Sequence, residues 1–162
     1  MDWILILGKA FWCGWGALGF GILFNVPPRT LLPIWIGGAL GGFLKFTLLQ
    51  MTVGVVLASF VGALAVGISS IPIAHFRHAP PMIFAIPSVI PLIPGVFAYR
   101  TMLGLMKLTA PIGSDYGQIL AETVNNGSKT LFVIMSLAMG VAVPMHLMRQ
   151  ESVKNIRLHK KK

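Results

Sequence analysis

The stretch Pro87–Gly95, with the sequence PSVIPLIPG, places three prolines and a glycine inside an apolar run. That run extends from Met82 to Met106, and about 25 apolar residues are enough to cross a bilayer as a helix. Each proline leaves the carbonyl four residues earlier without its helical donor, which would free the backbone oxygens of Ile83, Pro87 and Ile90. Lipid cannot satisfy such groups, so the break must face protein or a water-filled cavity. Transporters bind solutes at broken helices of this kind.

The composition indicates an integral membrane protein. The chain has 162 residues, of which 56% are hydrophobic and only 10% are charged, whereas a soluble domain carries about 25% charged residues. So few charges cannot cover a water-facing surface. The length predicts a single domain that is too small to enclose a wide pore alone, which favours a homo-oligomer or a partner chain.

Positive charge is concentrated at the C-terminus. Residues 149–162 contain six lysines and arginines but one glutamate, which gives +5 of the net charge of +9. A basic tail can bind nucleic acid, but after a membrane helix it is typical of the cytoplasmic side and of contact with the lipid bilayer. We therefore predict a basic cytoplasmic tail at residues 149–162 and no nucleic-acid partner.

Five membrane spans fit the hydropathy. They cover about residues 3–24, 31–49, 51–74, 82–106 and 129–148. With the C-terminus inside, an odd number of spans puts the N-terminus outside, and the inner loops then carry Arg29 and Arg77, as the positive-inside rule requires. The predicted fold class is an all-α integral membrane protein with about five transmembrane helices, the fourth broken at Pro87–Gly95. A four-span arrangement with a re-entrant second or fourth segment is the alternative.

The helix that restarts after Pro94 supplies the candidate binding residues. Its first amides, near Gly95, Val96 and Phe97, have no acceptor within the helix and form the positive end of a half-helix dipole, which suits a carboxylate. Ser88 would add a hydroxyl, and Arg100 would be a counter-charge for a substrate anion. The alternatives are that the prolines only bend the helix, and that Arg100 snorkels to an interface or pairs with Glu122.

Two other charged residues are candidates for coupling transport to an ion gradient. Glu122 could carry a proton, although a solvated position on an amphipathic lead-in, Tyr116 to Asn126, is the simpler expectation. Lys45 lies within about two turns of the end of the second span, so we expect it to snorkel. It therefore ranks below Arg100 as a site residue.

No motif indicates an enzyme, a metal site or a cofactor. Cys13 is the only cysteine, which excludes an internal disulfide and a cysteine metal cluster. His75 and His78 flank Arg77 without any carboxylate beside them. The sequence Gly14–Gly19 reads GxGxxG, but no strand precedes it. We therefore predict no catalytic residues, no metal and no cofactor.

Two motifs together resemble the threonine/serine exporter family. The first is FNVPPR at Phe24–Arg29, and the second is IPLIPG at Ile90–Gly95, followed by Tyr99. The resemblance covers roughly residues 10–148 and is greatest to the small subunit of exporters that are split into two chains. The positions that carry it are Asn25, Pro27, Arg29, Pro91, Pro94, Gly95 and Tyr99.

The resemblance implies a secondary exporter in the bacterial inner membrane. Family members move threonine and serine, and split two-subunit members are associated with dicarboxylates, succinate in particular. The resemblance also implies a second, larger membrane subunit as a partner. We predict a small carboxylate as the substrate, with alternating access around the broken helix. The alternatives are a scaffold that stabilises a partner transporter without itself transporting, and a channel.

Overall fold

The computed structural model describes residues 3–109 and 115–158, with side chains described as far as residue 148. Every regular element in these ranges is helical, so the predicted all-α class is confirmed. The helices are α1 (Trp3–Leu23), α2 (Leu31–Gln50), α3 (Val55–Arg77), α4 (Pro81–Val89), α5 (Gly95–Leu108) and α6 (Tyr116–Leu158). Single 3-10 turns cover Pro28–Thr30 and Ile90–Leu92.

Within the described residues, four segments are each long and apolar enough to cross a membrane. They are α1, Pro28–Gln50, α3 and Tyr116–Met148. A fifth crossing is formed only if Pro81–Leu92 and Gly95–Leu108 are counted as one span, and these two pieces meet at an angle of 56°. The predicted broken span is therefore present as a bent pair, which is also why four and five spans both fitted the sequence.

The break is shorter than the predicted Pro87–Gly95. Helix α4 runs through Pro87 to Val89 and is followed by the 3-10 turn Ile90–Leu92. Only Ile93, which is extended, and Pro94, with ψ of 68°, leave helical geometry before α5 begins. Pro87 removes one hydrogen bond from α4 without ending it, so the number of prolines overestimated the unwound length.

Glycines bring α1, α2 and α3 close together. A Cβ added to Gly38 of α2 would lie 2.5 Å from the Cβ of Ala17 and 3.0 Å from the carbonyl oxygen of Cys13, both on α1. A Cβ added to Gly62 of α3 would lie 2.8 Å from the carbonyl oxygen of Gly41 on α2. With glycine at these positions the helix backbones can approach closely without a large interior of side chains.

Helix α6 runs parallel to α3. Gly67 of α3 lies against Pro144, and Ala63 of α3 lies against Gly140, so the residue numbers of the two helices rise together along the contact. Helix α6 has 43 residues, which corresponds to about 65 Å, or roughly twice the hydrocarbon thickness of a bilayer. Its first turns therefore extend past the N-terminal end of α3.

The first half of α6 packs against α5 instead. Thr123 of α6 lies directly against Gly104, and Gly127 lies against Thr101 of α5, so these two helices are antiparallel. The sequence predicted an amphipathic lead-in, a span at residues 129–148 and a tail at residues 149–162, whereas the structure has one helix from Tyr116 to Leu158. Residues 159–162 of the tail lie outside the described residues.

The third helix starts later than expected. The predicted span began at residue 51, but Thr52 has φ of 62° and α3 begins at Val55. A positive φ cannot continue a right-handed helix, so α2 and α3 are separated by a short turn.

Replacing Gly140 with alanine should destabilise the bundle. Its Cβ would lie 2.9 Å from the Phe60 carbonyl oxygen and 3.0 Å from the Leu64 amide nitrogen, and backbone atoms cannot move aside as side chains do. We expect a loss of about 1–3 kcal/mol, the usual cost of overpacking, seen as a lower melting temperature in detergent. Gly8→Ala is the control, because no atom lies within 4 Å of the added methyl group. Equal melting temperatures for the two variants would contradict the packing described here.

Candidate functional site

The bend between α4 and α5 satisfies most of its own backbone groups. The amide of Ile93 donates to the Ile90 carbonyl at 3.0 Å, the amide of Gly95 to the Ile93 carbonyl at 2.9 Å, and the amide of Phe97 to the Pro94 carbonyl at 3.0 Å. The expectation that the Ile90 carbonyl and the amides of Gly95 and Phe97 are free is therefore wrong.

The Leu92 carbonyl and the Val96 amide belong to the two elements that meet at the bend. In a continuous helix the amide of Val96 would donate to the carbonyl of Leu92. Helix α5 departs at 56°, and Val96 is its second residue, so the Val96 amide has no acceptor within α5 itself. The Val96 amide is among those that the sequence analysis expected to lack an acceptor within the restarted helix, whereas the Leu92 carbonyl was not singled out from the sequence.

Lys45 of α2 contacts the bend through the Leu92 carbonyl. Its Nζ donates to the Leu92 carbonyl oxygen at 2.5 Å, and the residue is only 6% exposed. The snorkelling expected of Lys45 is therefore wrong. Around it the side chain of Leu92 packs with Ala63, Val133 and Leu137 in an apolar cluster. Lys45 thus ties α2 to the bend from within the bundle.

Ser88 and Pro91 lie inside the helix packing. The Ser88 hydroxyl is 1% exposed and lies within donating distance of the Ile34 carbonyl at 3.0 Å and the Phe84 carbonyl at 2.7 Å. Pro91 packs on Gly16 of α1, whose added Cβ would lie 3.3 Å from the proline Cγ. Among the predicted binding residues, these two fix α4 and the 3-10 turn against α1 and α2.

The other predicted binding residues are spread along the bend and α5. Pro94 is buried, whereas Gly95, Arg100 and Tyr99 are exposed, the tyrosine by 65%. Arg100 lines a cavity of about 550 Å³ between α5 and the first half of α6. Tyr99 does not line this cavity, so the structure does not bring all of the predicted residues into one place.

The cavity between α5 and α6 is electropositive. Its charged lining residues are Arg100, Lys107, Lys129 and Glu122, and its polar lining includes Thr123, Asn125 and Asn126. Glu122 accepts a hydrogen bond from Gln118 at 3.1 Å. Within the described residues none of the three cations forms an ion pair with Glu122, so the pairing considered for Arg100 is not made. Unpaired cations beside amide groups suit an anion.

The predicted motif Asn25, Pro27 and Arg29 forms the turn between α1 and α2. Asn25 has φ of 53°, a left-handed conformation that asparagine adopts more readily than most residues. Pro27 precedes the 3-10 turn that contains Arg29, and its carbonyl accepts a hydrogen bond from the Thr30 hydroxyl at 2.7 Å. Because α1 and α2 are antiparallel, this turn lies at the opposite end of the bundle from Lys45.

The coupling candidates Glu122 and Lys45 occupy separate places, one in the cavity and one at the bend. The described residues contain no group of three or more histidine, cysteine, aspartate or glutamate residues that could hold a metal ion.

Comparison with known proteins identifies the family. Residues 9–147 match the family model described as "Threonine/Serine exporter, ThrE". The chain belongs to the threonine/serine exporter family. Both motifs that carry the resemblance lie within the matched residues. The threonine/serine exporters are transporters rather than enzymes, which agrees with the lack of a catalytic motif in the sequence.

One relative of this chain is an uncharacterized protein of Haemophilus influenzae. The two are 32% identical over 130 residues, which make up 79% of this chain and 42% of the relative. The chain thus spans less than half of the relative's length. No solved structure matches the chain.

Substitutions of Ser88 test whether this residue has a packing role or a substrate-binding role. Ser88→Ala removes the donor to the Ile34 and Phe84 carbonyls and should cost about 1 kcal/mol of stability. Ser88→Leu should cost more, because a Cβ on Gly37 would already lie 2.8 Å from the Ser88 oxygen. Ser69→Ala is the control, since Ser69 bonds only within its own helix. An unchanged melting temperature for Ser88→Ala would contradict the packing role.

Proposed function

We propose that the chain is a subunit of a secondary exporter for small carboxylate metabolites, either threonine and serine or dicarboxylates such as succinate. Family membership supports export. The single observation that carries the finer proposal is the bent α4–α5 pair, with an electropositive cavity beside α5 and a buried lysine at the bend.

The two halves of the broken span pack against different helices, which supports alternating access. Helix α4 packs against α1, α2 and α3, whereas α5 packs mainly against α6. Only Ile93 and Pro94 separate the two halves. A change at these two residues would therefore move α5 and the start of α6 relative to the rest of the bundle, as a hinge does.

The charge of the cavity supports an anionic substrate. Arg100 would bind one carboxylate, and Lys107 or Lys129 would bind a second carboxylate of a dicarboxylic acid. The Nζ of Lys129 lies 5.6 Å from the Phe97 ring centroid, and this contact holds the ammonium beside the first turn of α5. A zwitterionic amino acid would use fewer of these cations.

The parallel packing of α3 and α6 supports a cytoplasmic C-terminus. Arg77 lies in the last turn of α3, and the tail beyond Met148 is basic. Because the two helices are parallel, both basic ends lie on the same side of the bundle, as the positive-inside rule expects for the cytoplasm. For a bacterial exporter this would be the inner membrane.

The length of the relative supports a second subunit. The chain aligns with 42% of the Haemophilus influenzae protein, so the remaining part of that protein could correspond to a larger membrane partner. A non-transporting scaffold subunit is the alternative function, and it predicts that changes at the bend alter the yield of the partner but not the rate of export.

Straightening the bend should abolish export. Replacing Pro94 with alanine and Gly95 with leucine restores an amide donor at position 94 and replaces glycine with a residue of higher helix propensity, so a continuous helix becomes more favourable. We expect labelled threonine and succinate efflux to fall by about tenfold or more at unchanged expression.

Pro72→Ala is the matched control, because Pro72 lies inside α3 without interrupting it. Full efflux by the variant at Pro94 and Gly95 would refute the bend as the transport site. Lost partner yield with normal efflux per complex would favour the scaffold.

Removing cavity charge should weaken the binding of dicarboxylates. Arg100→Gln combined with Lys129→Gln takes two of three cations from the cavity, and we expect the half-saturating concentration of succinate to rise about three- to tenfold. The control is Arg77→Gln at the other end of the bundle. Equal half-saturation in the double variant and the control would contradict a role for this cavity.

A further inference from the structure

Lys45 is a buried cation without an acidic partner in the described part of the chain. Its ammonium has three N–H donors, but its one hydrogen bond in the described residues is to the Leu92 carbonyl. No acidic side chain of the described residues pairs with it, although the residue is only 6% exposed. An ammonium buried in a membrane bundle is costly and usually pairs with an anion or marks the path of a solute.

Ser59 of α3 is a second unsatisfied group near this position. It is fully buried, and its hydroxyl has no hydrogen-bond partner among the described residues. Ser59 lies three residues before Gly62, on the same face of α3, and a Cβ on Gly62 would lie 3.4 Å from the Lys45 Cβ. Buried hydroxyls without a partner are rare and require an explanation such as a ligand.

We propose that Lys45 and Ser59 bind the carboxylate of the transported solute at the bend between α4 and α5. The inference rests on the proposed export function and assigns its inner binding site. A carboxylate would accept hydrogen bonds from the Lys45 ammonium and the Ser59 hydroxyl. It would neutralise the charge of the ammonium and give the hydroxyl a hydrogen-bond partner. The Leu92 carbonyl is then available to the ammonium of an amino-acid substrate.

The position of Lys45 suits a site inside the membrane. It lies five residues before the end of α2, about 8 Å along the helix axis. Leu92, to which it is bound, directly precedes the two non-helical residues of the bend. Movement of α5 at the bend would therefore open the space beside Lys45. The solute would then bind next in the cavity that is lined by Arg100.

The alternative is that Lys45 only braces the bend. A brace needs the Leu92 carbonyl but neither Ser59 nor a solute. It also predicts that neutral and charged solutes affect this region equally. The experiment therefore compares solutes that differ only in the carboxylate.

Cys13 is a built-in reporter for this site. It is the only cysteine, and a Cβ on Gly42, three residues before Lys45, would lie 2.9 Å from the Cys13 Cβ. The tagged chain in native membranes is treated with a fluorescent maleimide and then isolated. We expect succinate and threonine to change the labelling rate about threefold or more, and succinamide and threoninol, which lack carboxylates, to leave it unchanged. Equal effects of the charged and neutral solutes, or no effect of any, would overturn the proposal.

Variants separate the site from the export function. Lys45→Met should lose the labelling response and about tenfold or more of efflux, and Ser59→Ala should need several-fold more solute for the same response. Lys9→Met is the matched control, because Lys9 is exposed on α1 with its Nζ 5.3 Å from the Phe46 ring centroid. Full efflux and response in Lys45→Met would overturn the site and leave the exporter proposal intact. If the wild-type chain responds to solute but exports nothing, the binding site would be supported and the exporter proposal would be overturned. The analogue series uses the unaltered protein, so it decides the matter even if Lys45→Met does not fold.

Discussion

The hydrogen bond from Lys45 to the Leu92 carbonyl is the interaction on which the bent span depends. A backbone carbonyl without a donor is not tolerated in hydrocarbon, so a helix that bends within a membrane must find a donor elsewhere. Here a lysine from the neighbouring helix provides it at 2.5 Å. The small residues of α2 and α3 make this contact possible, because Gly41 and Gly62 let the two backbones approach to within reach. No acidic side chain in the part of the chain that the structure describes pairs with this buried cation, so the proposed binding role would connect the stability of the fold to the binding of an anion.

The bend also divides the bundle into two packing groups. One contains α1 to α4 and holds Lys45, while the other contains α5 and the first half of α6 and holds the electropositive cavity. A solute that passes between Lys45 and the cations of the cavity would cross the boundary between these two packing groups. The family membership and the position of the two cations are therefore consistent with one route through the protein.

The sequence predicted the features that depend on composition and on single residue types. Hydropathy gave the membrane class, and the proline-glycine motif gave the location of the break. The length of the break was overestimated, because Pro87 is accommodated inside α4 and Pro91 begins a 3-10 turn. The continuity of α6 was missed because its polar first half needed a partner, α5, that only the tertiary structure reveals.

The role of Lys45 could not be read from the sequence for a different reason. Helix α2 is apolar on all sides, so no face of it is marked as the interior. Distance from the helix end suggested snorkelling, whereas the direction of the side chain is set by the packing of α3 and the bend. Arg100 was ranked higher because an arginine on the restarted helix was expected to face the interior, yet it is exposed and Lys45 is buried. The available signal was that Lys45 lies one turn after two overlapping GxxxG pairs, Gly37 with Gly41 and Gly38 with Gly42. Such pairs mark a close contact between helices.

Hydrogen exchange at the Val96 amide tests the central claim most directly. Val96 is the second residue of α5, so its amide has no acceptor within that helix, and in lipid nanodiscs it should exchange rapidly because water reaches the break. Added succinate or threonine should slow that exchange, while amides in the middle of α3 should stay protected throughout. A Val96 amide as protected as those of α3, with and without solute, would contradict a water-accessible binding site in the broken helix.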